Sequence, residues 1–434
     1  MNKQESIILG AGITGLAAAY STGLPVFEAK DLPGGICNSY YMRVKAEQRL
    51  NKLPEDGEAY RFEYGGGHWI FGVNAIISGF LKKFTDLKKY SRKASVFFQN
   101  EGFYVPYPIQ HNLHCFNSEM ANRIKSEIEN MSSYSQETLK EWLFSNFGIT
   151  LCNLFFFPFH ESYTAGLFKK IIPQYNFKTP GRLNKLEHGS HKNVNPPGYN
   201  NTFYYPIGGF DELIHKIASH CDIYVKKCVN KIDVKIKKLF FSDGDTLNYN
   251  NIISTIPLNR TMVLTGLTVN SEPDPFTSVL VLNIGAYRGP NCPNEHWIYV
   301  PHTRSGFYRI GFYSNVDHSF LPRSLQGKND RVSMYIESAH TNRSGLSRKE
   351  ISEYKNNVLE ELYEWEYISG VEVIDANWIE TAYTWSYPYS SWKLDALDLL
   401  KKNNILQIGR YGKWHFQGIA DSIHEGLMAG KELN

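Results

Sequence analysis

The segment SIILGAGITGLAAAY, residues 6–20, constrains this chain more tightly than any other. A short apolar run from Ile7 to Leu9 reads as a buried strand, and Ala17, Ala18 and Ala19 belong to a helix of small residues. Between them Gly10, Gly12 and Gly15 stand in the spacing G-x-G-x-x-G, with Thr14 inside the turn. Glycines there allow a tight turn and let the backbone approach a pyrophosphate. The helix N-terminus offers it unpaired N–H groups and a positive dipole end. A second apolar run, LPVFEAK, reaches Glu28, where an acidic residue would hold a ribose hydroxyl. The expected fold class is α/β, with a Rossmann-like dinucleotide-binding domain. Gly34 and Gly35 follow just past the acid. Plain NAD enzymes rarely carry that second pair; it favours FAD, which meets the chain again on the way to its flavin ring.

At 434 residues the chain is long for one core and points to two or three domains. A net charge of +3 gives no polybasic surface for nucleic acid or membrane. The six cysteines (Cys37, Cys115, Cys152, Cys221, Cys228 and Cys292) include no C-x-x-C pair. Reduced thiols in a cytoplasmic protein are the simplest reading, and no metal site is expected. His188, His191 and His215 are not at ligand spacing either and read as surface. No apolar run reaches the roughly 18 residues of a membrane span. A homo-oligomer is left open.

Residues 117–150 pattern as helical, with Ser135 as an N-cap and Gly148 as a stop. Another helix begins at 207–213. Strand-like alternation follows, with a turn at Asp243 and Gly244 and further candidates at 278–285, 296–300, 307–313 and 332–337. SRKEISEYKNNVLEELYEW reads as a helix, NILQIGRYG holds a strand, and a last helix starts near Ile419. Residues 188–202 read as loop. This order predicts an FAD-binding domain from 1–90, 205–262 and 400–434. A mainly helical substrate domain at 112–204 and an antiparallel β-sheet domain from 91–111 and 263–399 complete it.

EYGGGHWIFG, residues 63–72, carries three consecutive glycines before His68. Glycine costs conformational entropy, so something should need the room at Gly65, Gly66 and Gly67. His68 alone reads equally well as a core histidine bonded to backbone.

These stretches together with VPYPIQHN (105–112), HWIYVP (296–301), FYRIGFYSN (307–315), SYPYS (386–390) and GRYGKWHFQ (409–417) resemble the UDP-galactopyranose mutase family. The eukaryotic type is the closer one. The resemblance implies FAD, active when reduced, and a nucleotide-diphosphate sugar, UDP-galactose by default. It also implies pyranose–furanose interconversion through a covalent flavin N5–sugar adduct without net redox, in cell-surface polysaccharide biosynthesis. By that resemblance His68 lies on the flavin face near N5, with Gly66 and Gly67 against the ring. Arg309 holds the diphosphate with the hydroxyls of Tyr299 and Tyr387. Arg410 meets the FAD pyrophosphate or flavin, and the helix near Ile419 faces the flavin N1–C2 edge. Gln110, His160, Tyr163 and Trp297 line the substrate pocket.

The pattern departs from the family in one region. Thr164 stands where a tryptophan is usual, and the second diphosphate arginine is missing, with Lys178 or Arg182 as candidates to replace it. Residues 1–75 fit an FAD oxidoreductase of the amine oxidase, protoporphyrinogen oxidase or desaturase kind equally well. That alternative leaves Tyr299, Arg309 and Tyr387 together without a reason.

Overall fold

In the computed structural model, which describes residues 4–130, 137–174, 201–341 and 344–432, the strand Gln4–Leu9 lies inside a parallel sheet. Its neighbours are Val26–Phe27 and Thr246–Ser254, with Ile223–Tyr224 and Ile405–Gln407 beyond them. Ile7, Ile8, Leu9, Ile252 and Ile253 are fully buried, as strands covered on both faces require. The helices Ile13–Thr22 and Ile419–Met428 pack against each other beside the first strand. An antiparallel hairpin, Val229–Asp233 with Lys238–Phe241, extends the sheet through Thr246–Ser254, and the turn at Asp243 and Gly244 joins its last two strands.

The second sheet has seven strands in the order Ile368–Thr384, Phe276–Arg288, Arg331–Thr341, Arg309–Phe312, Trp297–Tyr299, Ala94–Phe98, Phe103–Pro106. All its pairings are antiparallel except that of Trp297–Tyr299 with Ala94–Phe98. Ile298, Ile310, Ile336 and Leu282 point to one face, where they form a core with Val358 and Leu362 of the helix Arg348–Glu364. The other face carries the polar side chains described below. The chain is thus a mixed α/β fold, with a Rossmann-like sheet, a largely antiparallel sheet and a helical segment between.

That helical segment corrects two expectations. Gly148 does not stop its helix. It adopts φ 75° and ψ 166°, a kink, and helical structure resumes through a π turn at Cys152–Phe156 into Phe157–Tyr163. Packing overrides the glycine, because Leu151, Cys152, Phe155 and Phe156 are all buried beyond it. The N-cap is Thr138, in a capping box with Glu141, and Ser135 lies outside the described residues. Leu139–Tyr163 is also long and apolar enough, by length and composition, to cross a membrane. Polar residues such as Asn146, Thr150 and Asn153 hide it from a search for unbroken apolar runs. Half of its most apolar window is buried within the protein. Residues 188–200 of the expected loop lie outside the described residues as well.

Candidate active site

Strand register builds one wall of the site. Val96, Tyr299, Arg309, Glu337 and Val281 are successive cross-strand partners and form a row across the sheet. Side chains opposite each other on neighbouring strands share a face and touch. In this row Arg309 Nε donates to Glu337 Oε2 at 2.9 Å and its Nη2 to Oε1 at 2.6 Å. The Tyr308 hydroxyl donates to Glu337 Oε2 at 2.8 Å. Glu337 is only 2% exposed. Two residues along, Trp297, Gly311 and Tyr335 form the next row on the same face. The Tyr335 ring lies over Gly311, where a Cβ would meet it at 1.9 Å.

The triple glycine lies on these two rows. A Cβ on Gly66 would come within 2.8 Å of Glu337 Oε1, and one on Gly67 within 1.9 Å of the Tyr335 hydroxyl. Gly66 also has φ 73°, which a side chain would strain. A Cβ on Gly65 would strike the His68 ring at 2.2 Å. The expectation that the glycines leave bare backbone for a flavin is therefore corrected in part. The side chains of His68, Glu337 and Tyr335 occupy that room, while Gly65, Gly67 and His68 still line the cavity. Burial, then the charge of Arg410, holds the His68 imidazole down at about 4, with Glu337 opposing and Arg309 assisting. His68 is thus neutral near pH 7, and its buried Nδ1 has no hydrogen-bond partner.

The glycine turn after the first strand builds another part of the site. Gly10 adopts φ 94° with Thr255 against it, and a Cβ on Gly15 would lie 1.9 Å from the Gly10 carbonyl oxygen. A Cβ on Gly12 would meet nothing within 4 Å. Gly12 caps the helix Ile13–Thr22 without a side-chain bond, so first-turn N–H groups stay available. Gly34 donates its N–H to Ala11 O at 2.7 Å, bringing the second glycine pair beside Gly12. Glu28 accepts from Ala11 N at 2.7 Å and Lys30 N at 2.9 Å, which fixes its carboxylate at the end of Val26–Phe27. Arg410 donates to Gln417 O at 3.2 Å and Ala382 O at 3.0 Å, beside the start of the helix Ile419–Met428.

One cavity of about 960 Å³ joins both parts, near the top of the range of about 300–1,000 Å³ common for small-molecule sites. Gly10, Gly12, Thr14, Glu28, Gly34, Gly35, Gly67, His68, His160, Tyr163, Trp297, Tyr299, Arg309, Arg410 and Ile419 all line it. Gly15, Gly66, Gln110 and Tyr387 do not. Gly15 and Gly66 act one layer behind the wall. Gln110 is buried in the turn Ile109–His111, and Tyr387 lies past the end of Ile368–Thr384, its N–H on Asp274. Lys178 and Arg182 lie outside the described residues. The kink at Gly148 and the π turn place Phe155, Phe159, His160 and Tyr163 on the cavity wall. His160 Nδ1 donates to Phe156 O at 2.7 Å, and Thr164 is fully buried, bonded to His160 O. Burial raises the Tyr163 and Tyr308 phenols well above their usual range, so both stay protonated donors. Cys37 also lines the cavity, but burial, then Glu63, pushes its thiol up to about 12, which removes it as a nucleophile.

Glu337, Tyr308 and Arg92 are wall or near-wall residues that the sequence reading passed over. Glu337 had one signal: it lies in the strand Arg331–Thr341, where Ser333, Tyr335 and Glu337 alternate with Val332, Met334 and Ile336.

The family model described as flavin containing amine oxidoreductase matches residues 13–434. The fold is also that of several solved structures. A reduced UDP-galactopyranose mutase superposes with TM-score 0.81 at 20% identity, over 98% of this chain and 94% of the other. A proposed protoporphyrinogen oxidase from Exiguobacterium sp. 255-15 gives 0.70 at 13%, over 100% and 99%. The cyclohexylamine oxidase from Brevibacterium oxydans IH-35A gives 0.63 at 11%, over 100% and 99%. FAD is the cofactor. Open space at Gly12, an available helix start and a fixed Glu28 would suit its dinucleotide part.

Proposed function

The chain belongs to the flavin-containing amine oxidoreductases, and within that family we propose that it is a flavin-dependent mutase of nucleotide-diphosphate sugars, with UDP-galactose as the default substrate. The observation that carries this reading is the row Tyr299–Arg309–Glu337 on the cavity wall, continuous with the glycine turn. Reduced FAD supplies a nucleophilic nitrogen for the anomeric carbon. Arg309 presents a planar donor fork suited to phosphate oxygens. Tyr163 and Tyr308, held protonated, keep hydroxyl protons at the same wall. His68, neutral at pH 7, brings an uncharged ring nitrogen to the wall and adds no positive charge there. The apolar rings of Phe155 and Phe159 exclude water from that side.

A second reading, oxidation of an apolar amine, draws on two observations. Glu337 neutralises Arg309, and Trp69, Phe71, Phe155, Phe156 and Phe159 form an aromatic wall. Incubating dithionite-reduced holoenzyme with a panel of nucleotide sugars separates the two. Furanose formation supports the mutase. No furanose, with hydrogen peroxide released when the oxidised enzyme meets amines in air, supports the oxidase.

A further inference from the structure

Arg309 alone gives this wall no net positive charge. Its guanidinium is held at both ends of the Glu337 carboxylate, so the pair sums to zero. A nucleoside diphosphate brings at least two negative charges and needs a further cation. Arg92 lines the same cavity and forms no ion pair with a described residue. It sits where the chain crosses between sheets, directly after Leu87–Ser91 and just before Ala94–Phe98. Its N–H donates to Asn201 O at 2.9 Å, and Tyr107 N–H to Ala94 O at 2.9 Å, so the backbone is fixed on both sides. The guanidinium Nη2 donates to Tyr107 O at 3.2 Å and stands 5.7 Å from the Tyr107 ring centre. The Tyr107 ring lies 4.8 Å from that of Tyr299, which is the cross-strand partner of Arg309. One patch therefore holds Arg92, Tyr107, Tyr299 and Arg309. Arg92 uses one of its five N–H donors on Tyr107 O, and its side chain donates to no other described residue.

Resting on the nucleotide-sugar reading, we propose that Arg92 is the second guanidinium of the diphosphate subsite and supplies its net positive charge. Arg410 also acts on this wall, through His68 and Tyr163, but two of its donors are spent on the carbonyls of Gln417 and Ala382 beside the helix Ile419–Met428. The subsite prefers a diphosphate over the bare nucleoside because its selectivity is electrostatic.

The test is titration of FAD-loaded protein with UDP and, separately, with uridine, for wild type, Arg92→Gln and Arg92→Lys, with flavin absorbance confirming the fold of each. In Arg92→Gln the UDP dissociation constant should rise roughly tenfold to hundredfold, the worth of a hydrogen bond to a charged group. The uridine constant should stay within about twofold, and UDP binding should depend less steeply on salt. Arg92→Lys, which keeps the charge, should recover part of the loss. Equal weakening for UDP and uridine would show that Arg92 only supports Tyr107 and would overturn the proposal. So would unchanged UDP affinity in both variants, the result expected if Arg182 carries the charge; the mutase reading would then stand. Absence of UDP binding to wild type would overturn both together.

Discussion

Arg309 and Glu337 face each other across neighbouring strands and share two hydrogen bonds, at 2.9 and 2.6 Å. The carboxylate is almost wholly buried, so removing its partner leaves an uncompensated charge. Arg309→Met should therefore destabilise the fold by about 3–5 kcal/mol, beyond any effect on substrate. Arg309→Met combined with Glu337→Gln should restore most of that loss. Urea unfolding of the two single variants and the double variant measures the coupling, and additive losses would show the pair to be energetically idle.

Gly12 and Gly15 should respond differently to the same methyl group. Around Gly12 the space is open, so Gly12→Ala apoprotein should keep its stability within about 1 kcal/mol. FAD affinity should fall about tenfold to hundredfold, because the methyl group takes the cofactor's room. At Gly15 the methyl group would meet the Gly10 carbonyl oxygen, so Gly15→Ala should weaken the apoprotein itself. Thermal unfolding without FAD, paired with FAD titration, separates the two.

The glycine turn and its acidic partner were legible because they are local. Gly10, Gly12, Gly15 and Glu28 lie within 19 residues and each spacing has one geometric reason. Arg309 was singled out only by the family resemblance, and its partner was not. Glu337 becomes its neighbour only through strand register, and no single-sequence signal fixes register between distant strands. The glycines at 65–67 were legible as a demand for room, yet the occupants come from Glu337 and Tyr335, far along the chain. The strand Ile368–Thr384 went unread because its burial follows no period of two. The helix Trp392–Lys402 was likewise unread.

The pH dependence of stability should have two opposed limbs. The His68 imidazole titrates at about 4 in the native protein, below its ordinary 6.5. As pH falls from about 6.5 to 4, the unfolded chain takes up that proton and the native protein does not, so stability drops, by on the order of 3 kcal/mol. His296, also held at about 4 by burial and then Lys93, adds to the same limb. Glu63 behaves oppositely. Burial raises it from 4.5 to about 8, against its bonds from Tyr205 and Ser39. The unfolded chain loses that proton first, so stability falls as pH rises from about 4.5 to 8. His68→Gln should flatten the acid limb in part, and Glu63→Gln should flatten the other. Urea midpoints across the range would expose any variant that leaves its limb unchanged.

His68→Ala should keep the fold and FAD, with little change in nucleotide affinity, because the proposed diphosphate subsite is at Arg309 and Arg92. Turnover should slow, since the neutral imidazole of the cavity wall is gone. Substrate dissociation constant and single-turnover rate, measured together on the reduced variant, decide it; a wild-type rate would make His68 a packing residue.

The most direct measurement of the mutase proposal is a count of products per electron pair. The holoenzyme is reduced once, without oxygen, freed of excess reductant, and given excess nucleotide sugar. The expected result is many furanose molecules per flavin, with the flavin still reduced at the end. Contradiction would be either of two outcomes: at most one product per flavin with the flavin reoxidised, or turnover by the oxidised enzyme in air with equimolar hydrogen peroxide.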